Sequence, residues 1–479
     1  MRRIVSFAKG ASAVLALSAA TVVVLSAQTF QTLYSFDHSG QGSPLGLIQA
    51  QNGELYGATG SGSANSGGTL FKITTNGTLT TLHDFCAQKP CTDGWRPATP
   101  IQTPSGELYG TTAESGPGFG AGGTVYKLTP AGDLTTLYSF CAQSGCLDGS
   151  IPSGLVRAPD GVFYGGTGIY GAYGAGTIFR ITPDGALTTL YSFCAQSGCP
   201  DGASPKSTLV WSTNGDLYGT TPSGGAYNQG TVFKITPDGT LTTLHSFCAE
   251  SGCLDGSTPY AALVQAANGN FYGTTQNGGA SNEGTLFEMT PDGALTTLFN
   301  FCAACPAGSN PVGALIQATD GALYGTTGAG GAHGKGAVFK FVPNGTLTTL
   351  YSFCSESKCT DGGSPPAGLV QDTNGVFYGT TADGGAYGYG TVYSLSVGLG
   401  PFVAPQTTYG KIGATVQILG TNLTGVSSVT FNGTAAEFTV NETGSAIAAT
   451  VPAGASSGSV QVTTPGGTLS SNVPFRIIP

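Results

Sequence analysis

The tripeptide Leu/Phe-Tyr-Gly returns seven times along the chain, with its tyrosine at Tyr56, Tyr109, Tyr164, Tyr218, Tyr272, Tyr324 and Tyr378. Successive spacings are 53, 55, 54, 54, 52 and 54 residues. A period of that length restricts the fold to an array of like supersecondary units. One unit, "STLVWSTNGDLYGTTPSGGAYNQGTVFKITPDGTLTTLHSF" (Ser207–Phe247), predicts four strands. Leu209–Trp211 is a short apolar run, and Asn214-Gly215 after it suits a tight hairpin turn. Leu217–Thr221 and Thr231–Ile235 flank a glycine-rich loop. Pro237-Asp238-Gly239 then turns the chain into Leu241–Phe247. Glycine supplies 78 of the 479 residues, against a usual ~7%, and the period assigns it to turns rather than to low complexity. Helical periodicity is absent.

Four antiparallel strands in a unit of this size are the signature of a propeller blade. "TFQTLYSF" (Thr29–Phe36) matches a fourth strand with no first three before it, and the last unit stops after a third strand, "TVYSLSV" (Thr391–Val397). The two orphans add to one blade. The expected fold is therefore all-β: a seven-bladed β-propeller whose N-terminal strand closes the last blade, so that no sheet edge stays open. From the glycine that precedes each third strand to the phenylalanine that ends each fourth, the count is always 17, as from Gly230 to Phe247. Insertions fall only between strands 2 and 3 and between strands 4 and 1. Both loops lie on one face of a blade, and function is expected there.

Arg2, Arg3 and Lys9, the apolar run "ASAVLALSAATVVVLSA" and small residues near Ala27 predict an export signal over residues 1–27. The run is at the short end for a membrane span, so the expectation is cleavage and a secreted or cell-surface chain with no remaining span. Removing three cations takes the formal net charge from −9 to −12. Such a balance disfavours nucleic acid as a partner. The propeller is expected over residues 28–397, a linker "GLGPFVAP" over 398–405, and a second domain over 406–479. "GATVQILGTNLTGVSSVTFNGTAA" (Gly413–Ala436), "ATVPAGASSGSVQVTTPGG" (Ala449–Gly467) and the closing "FRI" make that domain resemble the IPT/TIG immunoglobulin-like family, which implies a β-sandwich. The array itself, on its "LYGTT…GG…GTVFKITPDG" frame across residues 29–397, resembles the bacterial GloVer-type tandem-repeat proteins. That resemblance implies no activity.

The twelve cysteines form six pairs, all between strands 4 and 1: Cys86/Cys91, Cys141/Cys146, Cys194/Cys199, Cys248/Cys253, Cys302/Cys305 and Cys354/Cys359. A zinc cluster would need pairs from neighbouring units to converge or histidines to help. Only four histidines exist: His83 and His245 stand where Tyr138 stands in its repeat, which suggests packing or surface, while His38 and His333 are isolated in loops. Cys302-x-x-Cys305 has redox spacing but no βαβ setting. Its phenylalanine-to-proline loop is 10 residues instead of 12, and the eight-residue first loop, Phe36 to Pro44, has no cysteine. Pairs occur only on long loops, so local disulfides in an oxidising compartment are expected. Asp-Gly after the pairs (Asp93, Asp148, Asp201, Asp255, Asp361) is read as a turn rather than a calcium ring, since each loop offers one carboxylate.

The tyrosine of "LYG", the aromatic of "GTVF" and the phenylalanine of "SF" are expected as inter-blade core, and the "LYG" glycine as a place where neighbouring backbone approaches. At the tip of the glycine-rich loop the residue changes: Asn65, Phe119, Tyr173, Tyr227, Ser281, His333, Tyr387. Phe119, Tyr173, Tyr227, His333 and Tyr387 are the candidate binding residues, although an unconstrained tip would vary as well. No nucleophile, triad or phosphate loop emerges, and neither a catalytic residue, a cofactor nor a metal is expected. The expected function is a monomeric, non-catalytic binding module for extracellular glycan or a surface protein. A polysaccharide hydrolase or lyase with carboxylates at the propeller channel is the alternative, and a structural envelope or spacer protein the third.

Overall fold

In the computed structural model, residues 28–37, 41–62, 65–114, 122–343 and 345–478 are described. The predicted signal segment, His38 and Phe119 lie outside them. The chain is all-β, with two short 3₁₀ turns in cysteine loops at Ser144–Cys146 and Ser357–Cys359. No helix among the described residues is long and apolar enough to cross a membrane.

Each repeat folds into one antiparallel sheet whose strands follow chain order. In the fourth sheet these are Val210–Trp211, Leu217–Thr221, Thr231–Ile235 and Leu241–Ser246. Leu217–Thr221 is buried throughout and Thr231–Ile235 is buried except at Lys234, as short apolar, β-branched strands covered on both faces should be. The seventh sheet consists of Val370–Gln371, Phe377–Thr381, Thr391–Ser396 and, as its outer strand, Thr29–Ser35 from the other end of the chain. Where strands 2 and 3 end together, buried threonine hydroxyls pair at 2.8–3.0 Å, as in Thr221 with Thr231 and Thr381 with Thr391. These pairs satisfy polar groups that would otherwise destabilise the interior.

Each sheet is bonded to the next by the same backbone contact. The N–H of Arg96, Ile151, Ser204, Thr258, Asn310 and Ser364 donates to the carbonyl of Gly67, Gly122, Ala175, Gln229, Glu283 and Lys335 in the preceding sheet. A seventh bond, from Ser43 to Tyr389 at 3.3 Å, joins the first sheet to the last. Aromatic edges follow the same course. Phe85, Phe140, Phe193, Phe247, Phe301 and Phe353 each set their ring against Tyr126, Phe179, Phe233, Phe287, Phe339 and Tyr393 of the following sheet, with centroids 5.1–5.4 Å apart. Phe36 meets Phe71 at 5.6 Å across the boundary between the last sheet and the first. The "LYG" glycine has a different role from the one expected. A Cβ on Gly219 would lie 2.6 Å from the Phe233 ring and 2.7 Å from Leu209. The missing side chain admits the cross-strand aromatic ring, not backbone, because Gly219 and Phe233 are register partners.

Residues 404–477 form two further four-stranded sheets and a short parallel pair, Tyr409–Gly410 with Arg476–Ile477, around a core that includes Ile418, Leu423, Phe431, Ile447, Val462 and Phe475. This unit is seated on the tight-turn side of the repeat array. Gln406 bonds Gln51 and Gln102, Tyr409 donates to the Arg157 carbonyl, and Thr421 meets Thr373. Asn441 and Ser445 both donate to the Gln51 carbonyl. A cavity of about 870 Å³ remains beneath it, between Trp211, Leu263 and Gln265 on one side and Tyr409, Phe475 and Ile478 on the other.

Asp372 lies at the junction of the first sheet, the last sheet and this C-terminal unit. Its carboxylate accepts from Gln49 Nε2 at 2.7 Å and from the Asn374 N–H at 3.2 Å. Burial nevertheless pushes its pKa up to about 6 from the ordinary 3.8. The unfolded chain releases this proton first, so stability falls as pH rises between ~4 and ~6, by roughly 3 kcal/mol in all. Asp372→Asn is expected to stabilise the protein at pH 7.5 and to leave it unchanged or weaker at pH 4. Urea titrations at both values check this, and an equal effect at both would contradict it.

Candidate functional site

The two variable loops of a sheet are fastened to each other. All six cysteine pairs are disulfide-bonded within their own loop. Expected as one of six equivalent loop ties, Cys86–Cys91 departs from the rest. Cys86 and Cys91 are buried, 2% and 5% exposed, whereas the other ten cysteines are half-buried. The cause is the glycine-rich loop of the same sheet, which closes over this bridge. Asn65 lays its amide on the Cys86 carbonyl at 2.8 Å, and a Cβ added to Gly67 would lie 2.7 Å from Cys86 Cβ. The first disulfide is therefore part of the packed interior and offers no surface for a ligand.

In four other sheets the carbonyl of the second cysteine accepts an N–H from the glycine-rich loop: Gly171 to Cys146, Gly225 to Cys199, Gly279 to Cys253 and Gly385 to Cys359, at 2.8–3.0 Å. The Asp-Gly aspartate is the third fastening. Asp148 accepts from the Tyr138 hydroxyl at 2.9 Å and the Ala142 N–H at 3.1 Å. Asp201 and Asp361 do the same with Tyr191 and Tyr351. His83 and His245 place Nε2 at 3.0 Å from Asp93 and Asp255. Burial, and then the carboxylate, push the hydroxyl pKa of Tyr138 and Tyr191 up.

The aspartate thus ties its loop to the outer strand ten residues earlier, beyond the local turn that was expected. The fifth sheet carries Phe299 in place of the tyrosine, and the loop after it Ala307 in place of the aspartate, and both join one apolar cluster. Donor and acceptor disappear together, a correlation already present in the sequence.

Tyr173, Tyr227 and Tyr387 are 55%, 52% and 63% exposed, and His333 is exposed as well. Their loops lean over the outer strands. The N–H of the residue before each tip donates to a serine there: Ala172 to Ser192, Ala226 to Ser246, Ala332 to Ser352 and Ala386 to Ser35. The candidate rings therefore stand apart, one per sheet. Tyr173 and Tyr227 belong to adjacent sheets, His333 and Tyr387 to another adjacent pair. The first tip, Asn65, turns inward onto Cys86 instead.

At the centre of the same side, six of the seven sheets line a cavity of about 620 Å³. It is built around the proline that ends each cysteine loop. The residue before that proline is left-handed in every sheet: Ser43, Arg96, Ile151, Ser204, Thr258, Asn310 and Ser364 have φ between 50° and 60°. That conformation costs an ordinary residue about 1–2 kcal/mol, and for β-branched Ile151 and Thr258 it is exceptional. The sheet-to-sheet N–H bonds described above hold it in place. The residue after the proline is Leu45, Ala98, Ser153, Lys206, Tyr260, Val312 or Pro366, and all of these but Val312 line the cavity.

Lys206 and Tyr260 break this small or apolar series, and Lys206 Nζ lies 5.7 Å from the Tyr260 ring centroid. Sequence reasoning missed both, although comparing the post-proline position across repeats would have found them. Among the described residues, none of those lining the cavity is a carboxylate. The pair of carboxylates that glycoside hydrolysis uses, placed at the channel in the enzyme alternative, is thus not gathered here.

A family model described as the Gloeobacter/Verrucomicrobia repeat matches residues 15–198, 123–307 and 255–447. No curated protein matches the chain in sequence. Among solved structures, a fungal alcohol oxidase of the AA5 family, in complex with copper, is 12% identical with a TM-score of 0.51, covering 94% of this chain and 99% of that one. The extracellular domain of a putative hybrid two-component system from B. thetaiotaomicron is 12% identical with a TM-score of 0.52, covering 95% of this chain and 58% of that one. At such identity the likeness concerns the fold alone.

Proposed function

This chain belongs to the Gloeobacter/Verrucomicrobia repeat family, and we propose that it is an exported, non-catalytic binding module that recognises extracellular carbohydrate through its loop-rich face. In this account residues 28–397 are a seven-bladed β-propeller completed by its N-terminal strand. Residues 398–405 are a linker, and 406–479 an IPT/TIG immunoglobulin-like sandwich. Six disulfides suit an oxidising compartment outside the cytoplasm.

The observation that carries the proposal is the seating of the C-terminal unit. It occupies the tight-turn side, leaving open the side whose loops vary in length and are stapled, and on which Tyr173, Tyr227 and Tyr387 project. Flat aromatic faces held on rigid loops suit the apolar faces of sugar rings. Binding of the secreted protein to immobilised polysaccharides and envelope fractions tests the proposal. The triple variant Tyr173→Ala, Tyr227→Ala, Tyr387→Ala is expected to lose at least ~10-fold in affinity, given ~0.5–1.5 kcal/mol for each ring contact. Unchanged binding by the triple variant would remove the tips from the site. Capture of a surface protein alone would replace the carbohydrate, and flat results throughout would favour a spacer.

A further inference from the structure

The cations of this chain are few, and on the loop-rich face Lys89 and Lys358 stand on exposed cysteine loops, while two at or near the central cavity are paired. Arg96 pairs with Glu114 at 3.3 Å and Lys335 with Asp383 at 3.5 Å. Lys206 differs. Among the described residues no carboxylate pairs with it; it lies over one ring, and it lines a cavity that contains no acid. Its stem runs along Gly168, where an added Cβ would meet its Cε at 3.4 Å. Tyr260, from the next sheet, is 40% exposed beside it. In a chain of strongly negative charge, an unpaired ammonium in an acid-free concavity makes a local positive potential. A volume of about 620 Å³ lies within the usual ~300–1,000 Å³ of ligand sites. The wall is fixed by left-handed residues bonded sheet to sheet, so little ordering is left for binding to impose.

We propose that this central cavity binds an acidic sugar, the Lys206 ammonium holding a uronate carboxylate and the Tyr260 ring receiving the C–H face of the same residue. The assignment rests on the carbohydrate-binding proposal and gives it a substrate class. It also places recognition at the centre of the face, with the tip tyrosines at the periphery along a longer chain.

The test is calorimetric titration of the full secreted chain with a galacturonate tetrasaccharide and with its fully methyl-esterified form, which has the same shape without the charge. The acid is expected to bind at least ten times more tightly than the ester. Lys206→Met, which keeps the stem, should weaken the acid ~10–100-fold, the range for a hydrogen bond to a charged group, and leave the ester unchanged. Lys206→Arg should retain binding, and Tyr260→Ala should weaken both ligands. Thermal transitions matching the parent confirm that the variants fold. Equal binding of acid and ester, or equal binding of the acid by the parent and Lys206→Met, overturns the assignment. So does Lys206-dependent binding confined to a sulfated oligosaccharide. If neutral glycans then bind through the tip tyrosines, only the acidic-sugar site falls. If no glycan binds, the proposed carbohydrate function falls with it.

Discussion

A chain lacking residues 28–36 is expected to lose its cooperative thermal transition and to aggregate. Thr29–Ser35 runs antiparallel to Thr391–Ser396, from Thr29 opposite Ser396 to Ser35 opposite Thr391, with a bulge between Thr32 and Tyr34. Phe30 stacks on Tyr351 with centroids 3.8 Å apart, and Phe36 is fully buried against Phe71. The Phe36 N–H also donates to the Gly390 carbonyl at 3.0 Å. Deleting one buried phenylalanine side chain costs about 3–5 kcal/mol, and here Phe36 is lost from the boundary between the last sheet and the first and half-buried Phe30 from that between the sixth and the seventh. That sum is comparable with the ~5–15 kcal/mol total stability of most domains. The deletion also bares the edge of Thr391–Ser396, an invitation to intermolecular pairing. A synthetic peptide of residues 28–37 in excess should restore the transition, because a ligand that binds only the folded form stabilises it by mass action. Scanning calorimetry with and without the peptide decides the matter. A truncated chain melting within a few degrees of the full one would show that this strand is an ornament.

How far such a fold can be read from sequence depends on which residues make each contact. Leu217–Thr221 and Thr231–Ile235 have the predicted bounds, because the Asn214-Gly215 turn and Pro222 bound the first and Gly230 and the Pro237-Asp238-Gly239 turn bound the second. The fourth strand ends at Ser246 rather than Phe247, since the Phe247 N–H turns to the Gly230 carbonyl at 3.0 Å. The pairing of Thr29–Ser35 with Thr391–Ser396 follows from two incomplete repeats at opposite ends of the chain. The tie between Asp255 and His245 was equally available, but neither residue alone signals it, and only their joint replacement in the fifth repeat, by Phe299 and Ala307, exposes the pair. Burial of Cys86 and Cys91 was not legible, because it depends on how the loop carrying Asn65 and Gly67 folds over them, and the cysteine spacing is the same in four other repeats. Lys206 and Tyr260 are less conspicuous than the loop tips, because they stand out only when the residues after the proline are aligned across all seven repeats. Contacts such as Gln51 with Asn441 and Ser445 lie outside any repeat. They depend on how two surfaces meet, for which the repeat pattern carries no signal.

Two glycines in one repeat separate the conformational reason for glycine from the spatial one. Gly215 and Gly230 have nearly the same left-handed φ, 91° and 97°. A Cβ on Gly215 would meet nothing within 4 Å, whereas on Gly230 it would lie 2.3 Å from the Thr221 carbonyl oxygen and 2.6 Å from Pro259 Cδ of the next sheet. Gly176 and Gly390 repeat the crowding against Thr167 and Pro205, and against Thr381 and Pro44. Gly215→Ala is therefore expected to cost only the ~1–2 kcal/mol of a left-handed alanine. Gly230→Ala adds an overpacking cost of ~1–3 kcal/mol, and more if the strands cannot part. The clash also falls beside the Gln229 carbonyl that receives Thr258 of the next sheet at 2.8 Å, so the damage should reach the neighbouring repeat. Urea denaturation of the two variants against the parent measures the difference. If both lose the same stability, backbone conformation alone selects these glycines, and the close approach of one sheet to the next places no demand on sequence.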